Sequence, residues 1–127
     1  MSQNQPVVLI VDDSKTILRT ATFFLEPAYT VKAVEDGYKA LAAVEEVRPD
    51  IVFLDVMMPR LDGYKVCHAI KDNPNYENIP IIILSSKDSP FDQAKGKMMG
   101  CDDYLTKPFS KDQLLESVRK HLRQRQG

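Results

Sequence analysis

The segment Val-Val-Leu-Ile-Val at positions 7–11 runs directly into Asp12 and Asp13. Five consecutive aliphatic residues, most of them β-branched, are typical of a parallel strand that is covered by helices on both faces. The acidic pair that follows indicates where this strand ends. We therefore predict a buried strand over Val7–Val11 with a polar carboxyl end.

The rest of the chain alternates between short apolar runs and segments with apolar residues at helical spacing. Four further strands are predicted over 29–34, 51–54, 79–84 and Asp103–Thr106. Five helices are predicted over 14–26, 36–47, 62–71, 89–100 and 110–123. Helix starts are marked by Asp36, by Ser89-Pro90 and by a capping box of Ser110 with Gln113. This alternation predicts an α/β fold, a doubly wound parallel sheet with right-handed crossovers.

Composition limits the class of protein. A chain of 127 residues with 43% hydrophobic and 28% charged residues predicts one soluble domain over 1–127, with its core at about 6–124. A net charge of −1 gives no reason to expect nucleic-acid or membrane binding, because both need a basic surplus. The apolar runs are too short to span a bilayer, and the start lacks a secretory signal. We expect a cytoplasmic protein, with Cys67 and Cys101 as reduced thiols.

Chemically useful side chains follow four of the five predicted strands. They are Asp12 and Asp13 after the first strand, Asp55 after the third, Ser85 and Ser86 after the fourth, and Lys107 after the fifth. Parallel strands place their carboxyl ends at one edge of the sheet, where α/β folds bind ligands. Carboxylates that lie close together repel one another, and a hard divalent cation such as Mg²⁺ relieves this. A carboxylate can also act as a nucleophile toward phosphorus. The constellation therefore predicts phosphoryl transfer onto an aspartate.

Each of these residues also has a purely structural interpretation. Asp12 and Asp13 could cap a helix, Asp55 could be a turn residue, and Lys107 could be a surface charge. Their joint placement after the first, third and fifth predicted strands favours a functional site. His121 has no neighbours at metal-ligand spacing, so we expect it to be structural.

The residues Asp12, Asp13, Asp55, Ser85 and Lys107-Pro108 match the motif of bacterial response-regulator receiver domains, and the resemblance covers nearly the whole chain. It implies a flavodoxin-like sheet with strand order 2-1-3-4-5 and five helices. Segments 12–17, 58–64 and 85–109 further resemble chemotaxis-type response regulators of type IV pilus twitching motility.

The resemblance implies a role for each matching residue. Asp55 resembles the phosphoacceptor, and Asp12, Asp13 and Asp55, with the backbone carbonyl of Met57, resemble the Mg²⁺ ligands. Lys107 resembles the lysine that pairs with the phosphate.

A second group of residues resembles the family's switch. Ser85 resembles the hydroxyl that moves to the phosphate, and Tyr104 occupies the aromatic position whose rotamer changes with it. Lys107-Pro108 resembles the family's cis peptide. Met57 is apolar and cannot orient an attacking water by its side chain, Lys87 is cationic, and both positions flank the path of water to the phosphate. We therefore expect the chain to hydrolyse its own phosphate slowly unless a partner assists.

Three function classes follow. The first is a phosphorylation-switched module, not a turnover enzyme, with a histidine kinase as donor. Its target would be a protein such as a pilus motor or a motility regulator, and it would be a monomer or a phosphorylation-dependent dimer. The face altered would comprise the fourth predicted helix, the fifth strand and the fifth helix. An aspartyl-phosphate phosphatase is disfavoured because Met57 stands where an acid/base aspartate is needed. A scaffold that keeps the fold but does not switch is disfavoured, because all the acidic and basic residues of the motif are present. If these 127 residues are the complete protein, too few residues follow the last helix for an output domain, and we then expect output by protein contact.

Overall fold

The computed structural model describes residues 5–56, 62–85 and 100–126. The strands are β1 (Val7–Val11), β2 (Thr30–Val34), β3 (Ile51–Asp55), β4 (Ile81–Ser85) and β5 (Asp103–Thr106). The helices among these residues are α1 (Lys15–Leu25), α2 (Gly37–Val47), α3 (Gly63–Lys71) and the C-terminal helix (Lys111–Gln126). The helix predicted over 89–100 lies, apart from its last residue, outside the described residues.

The five strands form one parallel sheet with the order β2-β1-β3-β4-β5. β1 pairs with β2 on one side and with β3 on the other, as its apolar composition predicts for a central strand. β4 and β5 extend the sheet beyond β3. The structure therefore confirms the parallel flavodoxin-like sheet and its strand order, with four of the five predicted helices among the described residues.

Two apolar layers cover the two faces of the sheet. The first layer packs α2 and α3 against alternate strand residues such as Leu9, Val52 and Ile81. The second packs α1 and the C-terminal helix against the intervening residues, such as Phe53. Burying one such apolar side chain contributes roughly 1.5–3 kcal/mol, so both layers hold the strand ends in fixed relative positions.

The helix starts are fixed by side-chain caps. The Asp36 carboxylate accepts a hydrogen bond from the Lys39 N–H at 2.8 Å. The Ser110 hydroxyl accepts from the Gln113 N–H at 3.0 Å, and the Gln113 side chain accepts from the Ser110 N–H at 2.8 Å. These contacts confirm the predicted cap and capping box. None of the helices in the described part of the chain combines the length and the apolar character that crossing a membrane requires.

Candidate functional site

Three carboxylates meet at the carboxyl ends of β1 and β3. One oxygen from each of Asp12, Asp13 and Asp55 lies within 4.8 Å of the others. Asp12 is 0% exposed and Asp55 is 2% exposed, whereas Asp13 faces solvent. The sheet pairing explains this convergence, because Val11 lies opposite Leu54 and the residue that follows each of them in the chain is an aspartate.

Backbone hydrogen bonds hold Asp12 at this edge. Its N–H donates to the Val34 carbonyl at 3.2 Å, which continues the β1–β2 pairing by one residue. Its Oδ1 accepts from the Ser14 N–H at 2.9 Å, at the start of α1. One Asp12 carboxylate oxygen therefore bonds the turn that precedes α1, and the other faces the cluster.

The Lys107 ammonium lies between the two buried carboxylates. Its Nζ is 3.0 Å from Asp12 Oδ2 and 3.6 Å from Asp55 Oδ1. The Lys107 N–H donates to the Ser85 carbonyl at 2.7 Å, which holds the end of β5 against β4. The Lys107-Pro108 peptide bond is cis. The lysine therefore reaches across the sheet edge from β5 to β1 and β3.

The charges of this group do not balance. Three carboxylates face one ammonium, so the ionised cluster carries a net negative charge. Hard divalent cations take carboxylate oxygens, and Mg²⁺ commonly uses one or two carboxylates with waters and phosphate oxygens. The donor set and its spacing therefore fit a Mg²⁺ ion, which Asp12, Asp13 and Asp55 could hold.

Ser85 and Tyr104 share one face of the sheet near this edge. Ser85 pairs with Thr106 in register, and Ile83 pairs with Tyr104. Because side chains alternate between faces, these four residues point to the same side. Ser85 is buried, whereas Tyr104 is 36% exposed on the edge strand β5.

The backbone after Asp55 is covered by the start of α3. A Cβ placed on Gly63 would lie 2.2 Å from the Asp55 carbonyl oxygen and 2.7 Å from Val56 Cα. No side chain fits there, so only glycine allows α3 to approach the strand end. Sequence reasoning missed this residue, although a glycine at the first position of a helix, where it lowers helix propensity, was a signal.

Comparison with known proteins agrees with this geometry. The model of the response regulator receiver domain matches residues 8–119. The chain belongs to the response regulator receiver domain family. Members of this family act as signalling modules of two-component systems.

Individual relatives support the assignment. This receiver domain is 50% identical to Protein PilG of Pseudomonas aeruginosa over 116 residues, which are 91% of this chain and 86% of PilG. It is 40% identical to the response regulator MprA of a Mycobacterium species over 119 residues, which are 91% of this chain but only 50% of MprA. Among solved structures, the chemotaxis response regulator CheY4 of Vibrio cholerae has a TM-score of 0.88 at 32% identity, with 93% of this chain and 99% of that chain covered.

A buried histidine links β5 of the receiver domain to the C-terminal helix. His121 Nε2 lies 2.9 Å from Asp103 Oδ2, and Lys120 Nζ lies 3.5 Å from the same oxygen. Burial alone would raise the pKa of the Asp103 carboxyl, but the hydrogen bonds from His121 and the Tyr104 N–H, with the Lys120 charge, hold that pKa below its ordinary value. His121 therefore has a hydrogen-bond partner within the domain, in keeping with its predicted structural role.

The described part of the receiver domain brings most of the predicted site residues together. Asp12, Asp13, Asp55 and Lys107 form one cluster, and Ser85 is joined to it through the Lys107 backbone. The predictions that concern the Met57 carbonyl, Ser86 and Lys87 fall outside the described residues.

Proposed function

We propose that this chain, as one receiver domain, is switched by phosphorylation of Asp55. The observation that carries the proposal is the buried Asp55 carboxylate at the end of β3, with the Lys107 ammonium 3.6 Å away and two more carboxylates beside it. A carboxylate of this kind can attack phosphorus, and its charged neighbours suit a transferring phosphoryl group.

The phosphodonor in this proposal is a histidine kinase. An Asp55 oxygen forms a bond to phosphorus while the bond from phosphorus to the kinase imidazole nitrogen breaks, and the nitrogen retains the electron pair. Lys107 is placed to pair with a phosphoryl oxygen, because its Nζ already lies beside Asp55. The receiver is therefore a phosphorylated substrate of the kinase and not a turnover enzyme.

Asp12, Asp13 and Asp55, with the predicted Met57 carbonyl, would hold Mg²⁺ during this transfer. When bound, Mg²⁺ supplies positive charge that offsets the carboxylates and the phosphoryl oxygens. The chain itself positions these groups, since β1 and β3 place the two buried carboxylates in register.

The change at Asp55 would reach the surface through Ser85 and Tyr104. Ser85 is at the end of β4 beside β3, and Tyr104 lies on the same face of the neighbouring strand. We propose that Ser85 moves to bond the phosphoryl group and that Tyr104 turns inward, which reshapes the face formed by the predicted helix over 89–100, β5 and the C-terminal helix.

We propose that this face binds a protein partner in the cytoplasm. The likeness of several segments to twitching-motility regulators and the 50% identity to PilG support a partner in type IV pilus motility, such as a pilus motor or a motility regulator. Phosphorylation would act either on a monomer or by promoting a dimer through the same face.

Beryllofluoride, a mimic of the phosphoryl group, provides the test. Amide NMR spectra of the ¹⁵N-labelled chain should be recorded with Mg²⁺, with and without beryllofluoride. We expect shifts at Asp55 and Ser85 that extend to Tyr104 and the C-terminal helix. The Asp55→Asn variant should show none of them, while Asp36→Asn, which changes a partly exposed carboxylate outside the cluster, should respond like the wild type. Shifts confined to the carboxylate cluster would refute the proposed route, and an Asp55→Asn response would refute the site.

A further inference from the structure

The two cysteines of the chain are in contact although 34 residues separate them. Cys101 Sγ lies 2.7 Å from Cys67 Sγ, and no disulfide joins them. Cys67 is on α3 and is fully buried in the first apolar layer, whereas Cys101 lies just before β5 and is partly exposed. A disulfide bond is about 2.05 Å long, so the sulfur atoms need to approach by less than an ångström to form one.

The backbone segments that carry the two sulfurs are held together by other contacts. Lys71, four residues after Cys67, forms a 2.8 Å ion pair with Asp102, and its ammonium also donates to the Ile79 carbonyl at 2.7 Å. Asp102, the neighbour of Cys101, exchanges hydrogen bonds with Ile81, from its own N–H at 2.9 Å and to its carboxylate at 2.8 Å. Contacts other than the one between the sulfur atoms therefore also hold α3 close to the segment before β5.

The surroundings of Cys101 keep its sulfur in the thiol form. The hydrogen bond with Cys67 and burial raise the pKa of the Cys101 thiol above its ordinary value, and the Asp102 carboxylate raises it further, whereas the Lys71 ammonium acts in the opposite direction. Thiol–disulfide exchange needs a thiolate. Oxidation at neutral pH should therefore be slow and should become faster as the pH rises.

We propose that Cys67 and Cys101 form a dithiol site that a small disulfide, such as oxidised glutathione, converts reversibly into an intramolecular disulfide. The partly exposed Cys101 sulfur attacks one sulfur of the reagent, forms a mixed disulfide and releases one glutathione thiol. The buried Cys67 sulfur then attacks the Cys101 sulfur and releases the second glutathione. The two protein thiols lose two electrons and two protons in total, and both glutathione molecules take them up as thiols. This site is independent of the proposed phosphorylation.

The test uses the full chain, reduced and then incubated with oxidised glutathione at pH 7 and at pH 8. We expect a product two hydrogen atoms lighter by intact mass, with a peptide cross-link between Cys67 and Cys101. Its rate should rise on the order of tenfold per pH unit. The cross-link closes a 34-residue separation, so the oxidised chain should melt roughly 10 °C higher than the reduced chain, and dithiothreitol should reverse this.

Two variants make the result specific. Cys67→Ala should stop at a stable mixed disulfide on Cys101, and Cys101→Ala, which removes the partly exposed thiol and keeps the buried one, should gain no adduct. A wild-type chain that stops at the mixed disulfide, forms only intermolecular dimers, or shows no change after a day at pH 8 would overturn the proposal. Because the wild-type measurement needs no variant, misfolding of either alanine variant would not decide the outcome.

Discussion

The Lys107 ammonium is the charge whose removal should affect the site most. It lies 3.0 Å from Asp12 Oδ2 and 3.6 Å from Asp55 Oδ1, and both carboxylates are buried. Lys107→Met keeps most of the side-chain length and removes the charge. We predict a large loss of stability in the absence of divalent cations.

The magnitude follows from these distances. With an effective dielectric constant of about 20, each ion pair is worth about 5 kcal/mol, and two carboxylates within 4.8 Å repel by at least about 3 kcal/mol. Part of this attraction offsets the cost of burying the charges, and breaking a buried pair costs about 3–5 kcal/mol in practice. We therefore expect Lys107→Met to lower the free energy of unfolding by about 3–5 kcal/mol. A domain whose free energy of unfolding is about 5–15 kcal/mol would remain folded after such a loss.

Urea unfolding followed by circular dichroism, in the presence of a chelator, measures this loss. Lys120→Met is the matched control, because Lys120 is 52% exposed and forms only a 3.5 Å surface ion pair with Asp103. Such pairs contribute less than about 1 kcal/mol. A loss for Lys107→Met no larger than that of the control would refute the electrostatic argument.

Addition of Mg²⁺ gives the same variant a second test. Removing the ammonium leaves Asp12, Asp13 and Asp55 without their nearby positive charge, so Mg²⁺ should bind the variant more tightly and stabilise it more than it stabilises the wild type. Calorimetric titration of both proteins compares the affinities. Weaker binding by Lys107→Met would show that the lysine organises the cluster and does not compete with the cation for it.

Three further predictions concern other residues. Gly63→Ala should lower the free energy of unfolding by about 1–3 kcal/mol and weaken Mg²⁺ binding, since its Cβ would displace α3 from the Asp55 carbonyl; unchanged urea midpoints would contradict this. Asp103→Asn should cost about 1 kcal/mol at pH 7. Because folding lowers the pKa of the Asp103 carboxyl, the stability that this carboxylate contributes is present above the unfolded value near 3.8 and is lost as the pH falls through the folded pKa. A stability difference between wild type and Asp103→Asn in urea that is as large at about pH 3 as at pH 7 would contradict this. Met57→Asn should speed loss of the phosphoryl group from Asp55 in a dephosphorylation time course, and an unchanged rate would contradict the slow-hydrolysis hypothesis.

Much of the fold was predictable because the sequence signals for strands and helix starts agree with the burial seen in the structure. The apolar run Val7–Val11 specified a strand covered on both faces, and the caps at Asp36 and Ser110 marked two helix starts. The start of the fourth strand was not predicted correctly. Its prediction began at residue 79, but the Ile79 N–H bonds the Tyr76 carbonyl in a turn, and strand β4 begins only after Pro80.

Strand order and side-chain distances could not be predicted from the local sequence pattern. Alternation alone predicts a parallel sheet, and the order came from family resemblance. The convergence of Asp12, Asp55 and Lys107 could be anticipated because parallel strands end at one edge. The contact between Cys67 and Cys101 could not, because it depends on how α3 packs against the segment before β5.

Phosphorylation of Asp55 can be detected by intact mass spectrometry. The chain should be incubated with acetyl phosphate and Mg²⁺, beside a chelator control and the Asp55→Asn variant. We expect one added phosphoryl group on the wild-type chain and none in either control. A wild-type chain with no adduct, or an Asp55→Asn chain that still gains one, would contradict it.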